Sequence, residues 1–138
     1  MGVLSYILVF IVVFVVVSLI DYVWHLVLLR KQFEEGIKQV GIVKDGKIQM
    51  QSPASGLISQ VLVISSIMFL VIYSGADSII EAAAIGGAGG VLAISVYGLV
   101  NRAIIKGWGK TITALEVIWG PLIGAMTGAL VLYLVNLF

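Results

Sequence analysis

All eight lysine and arginine residues of this chain lie in two stretches, Arg30–Lys47 and Arg102–Lys110, and the segments around them are apolar enough to dissolve in lipid. Under the positive-inside rule that asymmetry orients the whole molecule. Both basic loops are expected in the cytoplasm, which puts the N and C termini together on the outer side. A soluble domain carries about a quarter of its residues as charges. Here the share is 11% against 61% hydrophobic, with a mean hydropathy of +1.17, so the chain reads as an integral membrane protein.

A spanning helix needs about 20 mainly apolar residues. Four segments qualify, at about 3–29, 56–73, 78–105 and 113–137. The expected fold class is all-α, a four-helix bundle crossing the cell membrane as a single domain over residues 1–138, with loops 30–55 and 106–112 cytoplasmic. The first segment has no basic n-region and no small-residue cleavage site, so it reads as a retained anchor rather than a secretory signal. Without cysteine the chain has no disulfide, thiolate metal site or thiol nucleophile. A net charge of +1 leaves no footprint for nucleic acid.

Within the first loop, Asp45-Gly46 separates two alternating runs across Ile42–Met50, the pattern of a type I′ hairpin. A small cytoplasmic ribbon is therefore expected. Its lysines suit anionic headgroups, and a solvated loop obeying the charge rule explains them as well. In the second connection Ser78 and Glu81 form a capping-box pattern, with Asp77 beside them favouring the positive end of the helix dipole.

Helices three and four carry small residues at helical spacing: Ala82, Gly86 and Gly90, then Gly120, Gly124 and Gly128. In lipid, helices associate through close backbone approach, which such rows permit. The two helices are expected to pack on each other or on a second copy. Pro121 removes a backbone donor and is expected to kink the fourth helix.

The polar residues on the helices are few. Ser18, Asp21 and His25 fall on one stripe, with Trp24 beside them. Asp21 lies about 13 Å along the helix from Arg30, and Glu116 about 9 Å from Lys110. Because the two helices run in opposite directions, both acids belong to one half of the membrane. Gln60 starts the second helix near Ser59, and Tyr97 and Asn101 share a face of the third. Asp21, His25, Gln60, Tyr97, Asn101 and Glu116 thus form a candidate intramembrane polar cluster at one depth.

Carboxylates in lipid are functional candidates by default. The plainer readings are an Asp21–His25 pair snorkelling to the interface, and a second capping box, Thr113 to Glu116, with Glu116 in the first turn. Tyr22, Trp24, Trp108 and Trp119 at one end, with Tyr6, Tyr73 and Tyr133 at the other, read as interfacial belts. The pattern acid-x-x-Trp occurs both at Asp21–Trp24 and at Glu116–Trp119 on oppositely directed helices, which admits a weak inverted duplication.

Asp21-x-x-Trp24, the run Tyr97-Gly98-Leu99-Val100-Asn101, Lys106-Gly107-Trp108 and Glu116-x-x-Trp119-Gly120 together resemble a family of four-helix membrane proteins, domain of unknown function 2177. The resemblance covers nearly the whole chain and implies four helices with a shared polar cluster. It also implies an aspartate after the tyrosine and another at position 116, where this chain has Gly98 and Glu116. The family brings no established activity.

Three classes of function follow. A transporter or proton pathway needs polar steps through the full thickness, and the outer halves of the helices supply almost none. An intramembrane enzyme would use Asp21, His25 and Glu116 as acid and base or as ligands of one metal, a weak signal with a single histidine. An accessory subunit or homo-oligomeric scaffold uses the glycine rows and lets the polar cluster serve as interhelical glue. The third is the favoured expectation, with a small ion- or proton-coupled transporter as the alternative. Lipid and other membrane subunits or copies of the chain are the expected partners, and no cofactor or metal is expected.

Overall fold

The computed structural model describes residues 2–41, 43–45, 47–49 and 52–138. Four helices long and apolar enough to cross a membrane run through Val3–Leu28, Pro53–Ser74, Ile79–Ile104 and Lys110–Leu137, within three residues of each expected boundary. The first comprises α1 (Val3–Tyr22) and a π-helical turn, Val23–Leu28. A short helix α2 (Arg30–Ile37) follows. The second span is α3 (Pro53–Ser74). The third comprises α4 (Ile79–Gly90), a π-helical turn Val91–Ser95, and α5 (Val96–Ile104). The fourth is α6 (Lys110–Leu137).

Local chemistry sets several of these ends. Ser52 accepts a hydrogen bond from the Ser55 amide at 3.2 Å and Pro53 fills the first helical position, so α3 starts earlier than hydropathy alone suggests. It stops at Gly75, whose φ of 68° is left-handed. Ser78 accepts from the Glu81 amide at 3.2 Å, and the Glu81 carboxylate reaches back to the Asp77 amide, one residue before the usual capping-box partner. The capping box expected at Thr113 is not formed. Gly109 precedes α6, and the Thr113 hydroxyl donates back to the Gly109 carbonyl at 3.0 Å, which places Glu116 beyond the first turn.

The hairpin expected around Asp45 is reduced to a contact of two residues a side. Val43–Lys44 and Lys47–Ile48 pair antiparallel, Val43 opposite Ile48, and Asp45 has a φ of 52°. Ile42, Gly46 and Met50 lie outside the described residues. Two-residue strands add no layer to the fold, which is all-helical.

The fourth span is the hub. It contacts each of the other three, and half of its most apolar window is buried, against 17% for the first span. The first span turns a single stripe inward, Val9, Val13 and Val17, spaced four apart, while α3 contributes Ile64, Ile67, Met68 and Val71. The closest association joins α4 to α6. A Cβ placed on Gly86 would strike the Gly124 carbonyl and sit 2.9 Å from the Gly128 Cα; one on Gly90 would strike the Gly120 carbonyl; one on Gly128 would strike the Ala82 carbonyl. Both glycine rows are therefore used inside one chain, backbone against backbone.

Pro121 leaves α6 continuous. Lacking an N–H, it cannot bond the Val117 carbonyl four residues earlier. The hydroxyl of Ser95, in the π turn opposite, donates to that carbonyl at 3.0 Å. Gly120 makes the approach feasible, because a side chain there would strike the Ser95 oxygen. Serine, π turn, glycine and proline thus form one device that keeps a buried carbonyl satisfied, as lipid requires.

Candidate functional site

The π turn ending the first span carries Trp24 and His25, and π turns within α-helices recur at functional sites. The preceding helix supplies Asp21. Its Oδ1 accepts the Trp119 indole N–H at 2.8 Å, a bond that ties the first span to the fourth. His25 donates from Nδ1 to the Asp21 backbone carbonyl at 2.9 Å and lies 3.3 Å from Asp21 Oδ1. The rings of Trp24 and Trp119 stack at 4.2 Å and 6°. The His25 ring stands edge-on to Phe33 at 4.5 Å.

Glu116 lies on α6 one turn before Trp119, so the two acids occupy neighbouring levels. It is buried, and its Oε2 has no hydrogen-bond partner among the described residues. The Glu116 carboxyl rests against the bare Cα of Gly98, where any side chain at position 98 would collide with it. Glu116 therefore fills the volume of the side chain that the sequence resemblance implies at 98.

The other expected members divide. Asn101 is buried on the face of α5 that also carries Gly98, and its Nδ2 has no partner among the described residues. Tyr97 is exposed and meets Trp108 edge-on, with centroids 6.4 Å apart. Gln60 is half-buried on α3, and no hydrogen bond joins it to the other five among the described residues. Tyr22, Tyr73 and Tyr133 are exposed, as an interfacial belt requires, whereas Trp108 and Trp119 are both only 6% exposed and do not fit that reading. Those two indoles are core residues, and Trp119 belongs to the site rather than to the interface that its place near a helix end suggests. Its position three residues after Glu116, mirroring Asp21 and Trp24, is the signal that points there.

The acid-x-x-Trp motifs meet in space but are not equivalent. Trp119 serves Asp21, whereas the reciprocal partners, Trp24 Nε1 and Glu116 Oε2, are both buried without a hydrogen bond among the described residues. One acid is held and the other is free to take a donor. Away from this level the interior is apolar: Val9, Val13, Val71, Ala82, Val131 and Leu134 fill it, with buried hydroxyls at Ser18, one turn from Asp21 and without a partner among the described residues, and at Thr127, which donates to Ile123 in its own helix at 2.7 Å. Asp21, His25 and Glu116 thus put proton-exchanging groups at one end of the bundle, with no chain of polar side chains continuing to the other among the described residues. Among the described residues no group of three or more His, Cys, Asp or Glu side chains is placed to hold a metal ion.

No curated protein and no solved structure matches this chain. A family model does, that of the predicted membrane proteins DUF2177, over residues 6–133. Four spans and near-complete coverage together place the chain in that family of membrane proteins.

Proposed function

We propose that the chain is an accessory or structural subunit of a membrane assembly rather than an enzyme, oriented with its basic loops and the Asp45 turn in the cytoplasm and both termini outside the cell membrane. The observation that carries this reading is the apolar half of the bundle, where α4 and α6 meet with Gly86 on Gly124 and Gly128 on Ala82 at backbone distance. A contact that tight leaves no route for an ion between those two helices. The bond from Trp119 to Asp21 serves as glue between spans. Since the glycine rows are already used within the chain, a partner would dock on the first span, whose Ile7, Ile11 and Val15 lie outward.

Gentle extraction from native membrane tests this. A stable complex heavier than one 14.7 kDa chain supports the subunit reading. A lone monomer, with no crosslink from a photoreactive residue at Ile11, overturns it.

The second reading is a small ion- or proton-coupled transporter working from the cytoplasmic face, favoured by the unpartnered Glu116 carboxyl and Asn101 amide among the described residues. Proton flux in proteoliposomes that is abolished by Glu116→Gln would establish it; absence of flux would remove it.

A further inference from the structure

Two membrane spans separate Arg30 from Arg102 along the chain, yet the fold welds the two basic stretches together. α2 is amphipathic: Phe33, Gly36 and Ile37 are buried, with Phe33 and Ile37 packed in one cluster with Trp108 and Ile112. The Gly109 amide donates to the Gly36 carbonyl at 2.9 Å. The backbones are in contact there, for a Cβ on Gly109 would sit 2.7 Å from the Gly36 Cα. Gly107, at φ 91°, turns the second loop beside Gln39. Hydrophobic packing and this glycine contact hold α2 and the loop 105–110 as one layer across the end of the bundle.

The outer side of that layer is charged. Arg30, Lys31, Lys38, Arg102, Lys106 and Lys110 are all exposed, against two acids, Glu34 and Glu35, within 30–38 and 102–110. Glu34 is engaged by Arg30 at 2.7 Å, and the other five bases make no salt bridge among the described residues. Arg102 donates to the Trp108 carbonyl at 2.6 Å, which fixes its guanidinium to the second loop. A layer at the ends of membrane spans lies at headgroup depth. There, each base near an anionic surface strengthens attraction about fivefold.

We infer that this joined layer is a binding platform for anionic phospholipid in the leaflet it faces, and that the Gly36–Gly109 contact sets its geometry. Bases on two separate flexible loops would attract anionic lipid diffusely. Bases fixed on one packed surface present a defined array to phosphate groups, so less order is lost when a lipid binds.

The test uses the full chain in nanodiscs of phosphatidylcholine mixed with phosphatidylglycerol, with retained lipids identified by native mass spectrometry. The wild type should enrich phosphatidylglycerol over the bulk mixture. Replacing Lys106 and Lys110 by glutamine should weaken that preference about fivefold for each base. Raising salt from about 0.1 M to 1 M, which shortens the Debye length from about 10 to about 3 Å, should weaken it too. Gly109→Ala changes no charge but forces the two segments apart, and should lose most of the preference. Unchanged retention in the lysine pair overturns the platform outright, and that pair is on the surface, so its result stands whether or not Gly109→Ala folds. A loss with the lysines and none with a folded Gly109→Ala means diffuse attraction, which overturns the joined array.

Discussion

Trp119 donates its indole N–H to Asp21 at 2.8 Å, while Trp24, stacked on the same indole at 4.2 Å, has an N–H with no acceptor among the described residues. Two tryptophans in matching motifs therefore have different energetic roles. Trp119→Phe should destabilise the bundle by about 1–2 kcal/mol more than Trp24→Phe, since only the former removes an interhelical hydrogen bond to an acid. Reversible unfolding in mixed detergent measures both. Equal costs would mean that stacking alone joins the first and fourth spans.

The bond from Ser95 to the Val117 carbonyl exists because Pro121 cannot make it. Ser95→Ala should cost about 1–2 kcal/mol by stranding a buried carbonyl. In a Pro121→Ala background the helix regains its own donor, and the same serine substitution should cost markedly less. A double-mutant cycle reads the difference directly; additive effects would show that the serine acts elsewhere.

The four spans are readable in the sequence because hydropathy over about 20 residues is a property of composition, and lipid leaves few alternatives to a helix. The glycine rows are readable for a related reason: small residues four apart make a strip on any helix. What escapes depends on tertiary geometry. α2 looks like polar loop because its buried face holds only Phe33, Gly36 and Ile37 among charges. The π turns at Val23–Leu28 and Val91–Ser95 have no compositional mark of their own. Trp108 and Trp119 follow the pattern of interfacial tryptophan until packing puts them inside. The Asp21 to Trp119 bond depends on how two helices are rotated against each other, which no pattern on either helix specifies.

The glycine contact between α4 and α6 predicts a sharp positional contrast. Gly90→Ala drives a methyl into the Gly120 carbonyl, backbone that cannot move aside cheaply. It should cost about 3 kcal/mol or more. At Gly56, within α3, an added Cβ would meet nothing within 4 Å, so Gly56→Ala should be neutral or stabilise by about 0.5–1 kcal/mol through reduced backbone entropy. Thermal or detergent-induced unfolding distinguishes the two. Comparable losses at both positions would contradict the backbone contact.

Gly98 and Glu116 are two halves of one packing decision, since the carboxyl of one occupies the side-chain space of the other. Gly98→Ala should therefore destabilise by about 1–3 kcal/mol through overpacking. The remedy lies on the other helix. Glu116→Asp shortens the acid by one methylene and withdraws it from Gly98, so the pair Gly98→Ala with Glu116→Asp should recover a substantial part of the loss. A Glu116→Asp change that leaves the cost of Gly98→Ala untouched, measured by the same unfolding assay, would place the Glu116 carboxyl somewhere other than against α5.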